Sequence, residues 1–137
     1  LLPPNYVDYG ISLETLEHIP ENELSHYLET LRKGVRQKVF ITVPIEMGPL
    51  ALLKYLYKSI FLVADEPYTC RELWHLCRGN LQKIERVPLG HKGFDYRQLK
   101  KTLQQYFHIE SETGLPFPAL PMALNLSCAL VLAPIKP

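Results

Sequence analysis

The sequence holds no G-x-G: its seven glycines are scattered, and Gly90 and Gly93 flank a histidine instead of opening a phosphate-cradling turn. It has no C-x-x-C or H-x-x-x-H pair either, which argues against an ordinary structural zinc site. His75 and Cys77, with Cys70 nearby, therefore read as core and surface residues of a short helix. Cysteine is sparse, at three residues. Cys70 and Cys77 lie in a helical-looking segment, separated by about 10 Å of helix rise, whereas a disulfide spans at most roughly 7 Å between Cα atoms. Cys128 sits in an apolar run and reads as a small core residue. Reduced thiols and a cytoplasmic setting are the expectation.

Charge of one sign is also missing. Fifteen basic residues face fourteen acidic ones, so the whole chain exerts no attraction on nucleic acid or acidic membranes. Nucleic acid is accordingly not an expected partner, and the cluster Arg32, Lys33, Arg36 and Lys38 reads as a solvated helix end. No apolar run is long enough to span a bilayer, since the longest, Pro49 to Val63, is interrupted by Lys54 and Lys58. The opening Leu1-Leu2-Pro3-Pro4 has no basic flank and no long apolar stretch, so it does not read as a signal peptide. With 137 residues the chain suits one domain and not two.

What is present is an alternation of short β-prone runs and helical spacings. Tyr6 to Leu13 predicts a strand, and Glu14 to Ile19 follows at helical spacing. Glu21 to Val35 is the clearest helix, with Leu24, Tyr27, Leu28 and Leu31 in one stripe and Gly34 at its close. Lys38 to Val43 is a β-branched run closed by Pro44. Strand, helix and strand with short joins predict a parallel βαβ unit. Ile45 to Leu89 then breaks the rhythm. Two helical patterns, Pro49 to Val63 and Glu72 to Gly79, occupy it, the latter opened by a Thr69/Glu72 capping box. Such an excursion reads as a functional insertion, a lid or a dimer contact. The Pro49 to Val63 helix itself can be a lid over an apolar substrate, an interfacial helix or packed core. Asp95 with Gln98 opens a last helix to Tyr106, Phe107 to Thr113 and Asn125 to Ala133 predict two more strands, and Pro116, Pro118 and Pro121 stiffen the loop between them.

Four apolar strand runs predict a buried sheet with helices on both faces. A doubly wound sheet puts its early strands at the centre. Here the first strand is left as an apolar edge, unguarded by charge or bulge, and such an edge invites pairing. The chain reads as half of something, whether its counterpart is a missing N-terminal segment or a second copy.

Chemistry concentrates in Glu14, Glu17 and His18, an E-x-x-E-H just past the first strand. On a helix these positions share a face, and carboxylates with an imidazole suit a divalent ion such as magnesium. Ligands of open α/β sheets bind beyond the carboxyl ends of the strands, where this motif sits. His91, in L-G-H-K-G-F, can reach back as a fourth ligand. The alternative is a solvated helix start whose acidic groups complement the dipole. Ser12 with His18 makes no triad, because no nucleophile elbow surrounds the serine. His26 and His108 read as helix-surface and strand-edge residues, and no catalytic residue stands out.

The run V-D-Y-G-I-S-L-E-T-L-E-H, with Asp8 and Leu16-Glu17-His18, resembles the fourth strand and following helix of class I S-adenosylmethionine-dependent methyltransferases. K-V-F-I-T-V-P resembles their fifth strand, H-K-G-F-D-Y-R-Q-L-K-K-T-L-Q-Q-Y-F-H-I-E the late helix and sixth strand, and N-L-S-C-A-L-V-L-A the seventh. The resemblance implies an α/β fold: a partial Rossmann-like sheet of strands four to seven, the last antiparallel between the fifth and sixth. Flanking helices and a helical insertion over 45–89 would complete a single incomplete domain over 1–137. It implies S-adenosylmethionine as cofactor, with only the methionine end of its site present, around Ser12, Leu13 and Glu14. The E-x-x-E-H segment is similar to that of small-RNA 2′-O-methyltransferases and ubiquinone-pathway O-methyltransferases. In the RNA enzymes it supplies metal ligands, which implies Glu14, Glu17, His18 and His91 as ligands here. The expected activity of the complete domain is methyl transfer, to oxygen, on a small, lipid-like or glycan-linked acceptor. The rival expectation is a truncated, non-enzymatic domain that pairs its open edge with a partner chain.

Overall fold

A computed structural model describes residues 3–62, 67–87 and 90–136. Leu1 and Leu2, the expected helix end at Val63 and the insertion boundary at Leu89 lie outside the described residues. Strand β1 (Val7–Leu13) runs parallel to β2 (Val35–Pro44), and helix α1 (Glu21–Gly34) joins them. In α1 the predicted stripe turns inward: Leu28 is fully buried, with Leu24, Tyr27 and Leu31 packed beside it. Glu21 and Glu23 in its first turn and Arg32 and Lys33 in its last complement the helix dipole.

The middle of the chain supplies α2 (Gly48–Phe61) and α3 (Cys70–Cys77), and the Thr69/Glu72 capping box forms as expected. Helix α4 (Tyr96–Leu103) stops a turn short of Tyr106, and the Asp95 side chain accepts from the Arg97 N–H in place of closing a box with Gln98. Strands β3 (Phe107–Leu115) and β4 (Ser127–Pro134) end the chain. The sheet order is β1-β2-β4-β3, so the last strand lies between the second and third, antiparallel to both.

One face of the sheet holds the core. Val39, Ile41 and Val43 of β2 meet Cys128, Leu130 and Leu132 of β4 and Phe107 of β3, and helical Leu28, Leu76, Leu99 and Leu103 join the same cluster. Burial pushes the Cys128 thiol up to about 12, so it is a core group and not a reactive one. The expected cover on both faces is not what the described residues form. Opposite the core, Tyr9, Ile11 and Leu13 of β1 and Phe40 of β2 stand in the open, Ile11 at 70% exposure. β1 thus turns its small side, half-buried Gly10 and buried Ser12, inward, and at Gly10 a Cβ would come within 2.9 Å of Val35 Cγ2. Among the described residues no helix is long and apolar enough to cross a membrane.

Candidate functional site

The expected helix over Glu14 to Ile19 is replaced by a tighter device. Glu14, the first residue past β1, adopts φ 48°, a left-handed conformation that costs a residue with a side chain about 1 kcal/mol or more. Its N–H donates to the Thr42 carbonyl at 2.9 Å, which fixes the reversal against β2. Thr15 Oγ1 donates back to the Leu13 carbonyl at 2.9 Å. The chain then enters a single 3-10 turn, Leu16–His18, anchored by buried Leu16. Because of this reversal the three motif residues do not share one helical face. Glu17 points inward at 1% exposure, whereas Glu14 is exposed.

A second segment closes on that turn. Arg86 donates from Nη2 to the Glu17 carbonyl at 2.8 Å and from Nη1 to the Lys92 carbonyl at 3.2 Å, and it also bonds the Gly90 carbonyl. One guanidinium thereby ties the 3-10 turn to the loop that carries His91. The rings of His18 and His91 meet edge to face with centroids 5.0 Å apart. Ligand atoms of Glu17, His18 and His91 all lie within 4.8 Å of one another. Sequence reasoning missed Arg86, since nothing in E-R-V-P sets this arginine apart from a solvated one.

The Glu17 carboxylate is the electrostatic centre of the site. Among the described residues no donor of good hydrogen-bond geometry reaches either oxygen although both are buried, and His18 Nε2 stands 3.7 Å from Oε1. Burial pushes the Glu17 pKa up and the Glu14 charge adds to that push, while the nearness of its own backbone N–H, of His18 and of Arg86 pulls against it. A buried carboxylate without donors is costly. One carboxylate and two imidazoles form a donor set that suits a divalent cation, and the orphaned oxygens fit that role. Glu14 stands outside the group of three. Ser12 is buried and accepts a long hydrogen bond, 3.4 Å, from the Tyr27 hydroxyl, while Leu13 projects from the open sheet face. Glu17 also borders a cleft of about 520 Å³ between α1 and α4, lined by Leu16, Ile19, Leu24, Ile84, Phe94 and Leu99 among others.

Other histidines and cysteines gather no comparable set among the described residues. Cys70 and Cys77 are exposed free thiols, and His26 and His108 are exposed.

No protein-family model matches the chain, and no curated protein matches it. Solved structures do. The PH0226 protein of Pyrococcus horikoshii OT3 superposes with a TM-score of 0.57 at 16% identity, over 98% of this chain and 54% of its own. A protein of Listeria monocytogenes, provisionally named an S-adenosylmethionine-dependent methyltransferase, gives 0.54 at 12% identity, over 99% of this chain and 65% of its own. The fold is methyltransferase-like. The chain thus spans between about half and two thirds of the length of either structure. At these identities the likeness is one of fold, and the chemistry has to be argued from the site.

Proposed function

We propose that this chain is the C-terminal part of an S-adenosylmethionine-dependent methyltransferase, its four strands corresponding to strands four to seven of that sheet. The observation that carries this reading is the polarity of β1. In a half-buried strand the bulky apolar residues face the core. Here Tyr9, Ile11 and Leu13 face away from it while Gly10 and Ser12 face in. That pattern suits a strand meant to be covered on its second face and paired along its free edge. The shares of the two solved structures left unmatched support the same idea.

In this reading Ser12, Leu13 and Glu14 contact the methionine end of the cofactor, and the rest of its site lies on the absent half. Glu17, His18 and His91 hold a divalent cation, with Glu14 near enough for its charge to be felt. Such a cation supplies a Lewis acid that lowers the pKa of an acceptor hydroxyl. The chain's own residues align donor and acceptor: Arg86 fixes the spacing between the 3-10 turn and the His91 loop. The 45–89 segment acts as an insertion or lid within a single domain, the acceptor is small, lipid-like or glycan-linked, and the transfer is to oxygen. The free thiols fit a reducing, cytoplasmic compartment.

The same unpaired edge favours a second reading, a non-enzymatic domain that pairs β1 with another chain or a second copy. Calorimetry separates the possibilities. S-adenosylmethionine titrated into the 137-residue chain should give no tight binding, and titrated into a longer product of the same gene should give tight binding and methyl transfer. Tight binding by the short chain would overturn the incomplete-site reading, and a longer product that neither binds nor transfers favours the pairing role. For the metal, Glu17→Ala and His91→Ala in the active product should abolish metal-dependent turnover with cofactor binding retained. Activity that survives both changes and a chelator removes the cation from the reading.

A further inference from the structure

Helix α2 carries two apolar faces, and among the described residues one of them is packed and the other is exposed. Ala51 is buried in the core and Leu52 packs against it. On the same inner side the Tyr55 hydroxyl accepts from the Tyr68 N–H at 3.1 Å, and the two rings meet at 4.9 Å. These contacts fix the rotation of the helix. Leu53, Leu56, Tyr57, Ile60 and Phe61, spaced i, i+3, i+4, i+7 and i+8, are therefore held outward as one continuous stripe. Exposure along it rises to 72% at Ile60 and 68% at Phe61. Leu62 extends it just past the helix end, at 58%.

We propose that α2 is an interfacial helix that seats the protein on an anionic lipid surface. The charge pattern selects this occupant. The helix, G-P-L-A-L-L-K-Y-L-Y-K-S-I-F, contains no carboxylate, and Lys54 and Lys58 follow one another along a single border of the stripe. Lys54 is paired with Glu46, and Lys58 is exposed. Antiparallel packing of stripe on stripe between two copies would bring the two Lys58 borders together with no carboxylate on the helix to offset them, Lys54 being paired with Glu46. Anionic headgroups supply that offset, and long lysine stems let the ammonium reach them while the apolar side chains sink below.

Helix α3, packed against α2, adds the residue types enriched at such a boundary. Trp74 is 61% exposed, and the Arg78 guanidinium lies 5.1 Å from its ring centre. Arg71 and Trp74 on α3 and Arg78 at its C-cap are all exposed. A net charge of only +1 does not oppose the proposal, because attraction to a membrane surface acts within about a Debye length of the local cations. The proposal stands on α2 alone and is independent of the methyl-transfer reading.

The test is co-sedimentation of the protein with vesicles of phosphatidylcholine alone and of equal parts phosphatidylcholine and phosphatidylglycerol. The protein should pellet with the anionic vesicles. Ile60→Asp with Phe61→Asp should reduce the bound fraction about tenfold or more, and Lys58→Glu should weaken it severalfold on anionic vesicles only. All three side chains are exposed, so circular dichroism and the thermal midpoint should not move. Ile11→Asp, on the open sheet face, should leave vesicle binding as it was. Failure of the parent protein to pellet overturns the proposal, as does equal loss in Ile11→Asp, which would mark non-specific adhesion. Sedimentation velocity showing a dimer that the double substitution dissociates would replace the lipid surface with a second copy of the chain.

Discussion

Lys92 Nζ lies 3.0 Å from Glu72 Oε1, and Glu72 is the same side chain that closes the capping box of α3 with Thr69. Lys92 also donates to the Pro67 carbonyl at 2.8 Å and sits 5.1 Å from the Tyr68 ring centre. The residue next to His91 is thus moored to the start of α3, and the mooring sets where the imidazole can stand. Both partners are nearly buried, and cutting one member of such a pair typically costs about 3 kcal/mol. Lys92→Met should lower stability by that order in urea denaturation and weaken manganese or cobalt binding by the protein, with Lys92→Arg recovering part of both.

Acid should reach the same mooring through Glu72. The Thr69 backbone N–H is the largest cause that holds its carboxyl down, at about 2, with Lys92 and the Thr69 hydroxyl assisting against desolvation. A carboxylate with a lowered folded pKa stabilises the fold fully above its unfolded value, 4.5. That contribution is lost as pH falls from there through about 2. Glu72→Gln should therefore flatten the acid limb of the stability profile in that window and leave its slope near neutrality unchanged, as read by denaturation at a series of pH values.

Glu17 carries the opposite sign. Burial raises its folded pKa, so its ionisation opposes folding, and stability is lost as pH climbs from 4.5 through the raised value. In a chelator, Glu17→Gln should have a higher thermal midpoint than the parent at neutral pH, and the two midpoints should converge as pH drops to 4.5. Added divalent cation should raise the parent's midpoint and leave the variant's where it was. A parent more stable than the variant in chelator at neutral pH would show that Glu17 is satisfied in some other way.

Gly114 has no room for a side chain, because a Cβ there would stand 2.4 Å from Asn125 Nδ2. Asn125 is buried and staples the loop between β3 and β4. It accepts from the Phe117 N–H at 2.8 Å and donates to the Pro121 carbonyl at 3.2 Å. Gly114→Ala should displace the staple and cost about 1–3 kcal/mol. Asn125→Ala alone should cost a similar amount, and the double variant clearly less than the two single costs added together, as measured in urea.

Much of the layout was legible along the chain because it is written in local chemistry. The α1 stripe, the Thr69/Glu72 box and the β-branched run before Pro44 each specify their element without help from afar. The position of the first strand at a sheet edge was legible too, but not its guards: contrary to the expectation of a bare apolar edge, Asp8 pairs with Arg36 and the register with β2 shifts between Val7 and Tyr9. What could not be read was the geometry at Glu14. A left-handed glutamate is imposed by the Thr42 carbonyl across the sheet, not by its own residue type, and it converts an expected helical face into a tight turn. The meeting of Glu17 with His91 spans most of the chain. The spacing of E-x-x-E-H only allowed it, and the arginine that brings it about carries no signature. The open sheet face was hidden for another reason. Alternation tells which residues share a side, but not which side finds a cover.

Placing β4 between β2 and β3 has a consequence for assembly. Among the described residues β3 pairs in the sheet with β4 alone, so the ladder of residues 107–115 depends on 127–134. Only with 127–134 in place can the two sides of the sheet be joined, since β4 is the strand that pairs with both β2 and β3. Any nick or frameshift near residue 125 would leave both β2 and β3 with raw borders, and a chain damaged there should be cleared or aggregate rather than persist in a partly working form.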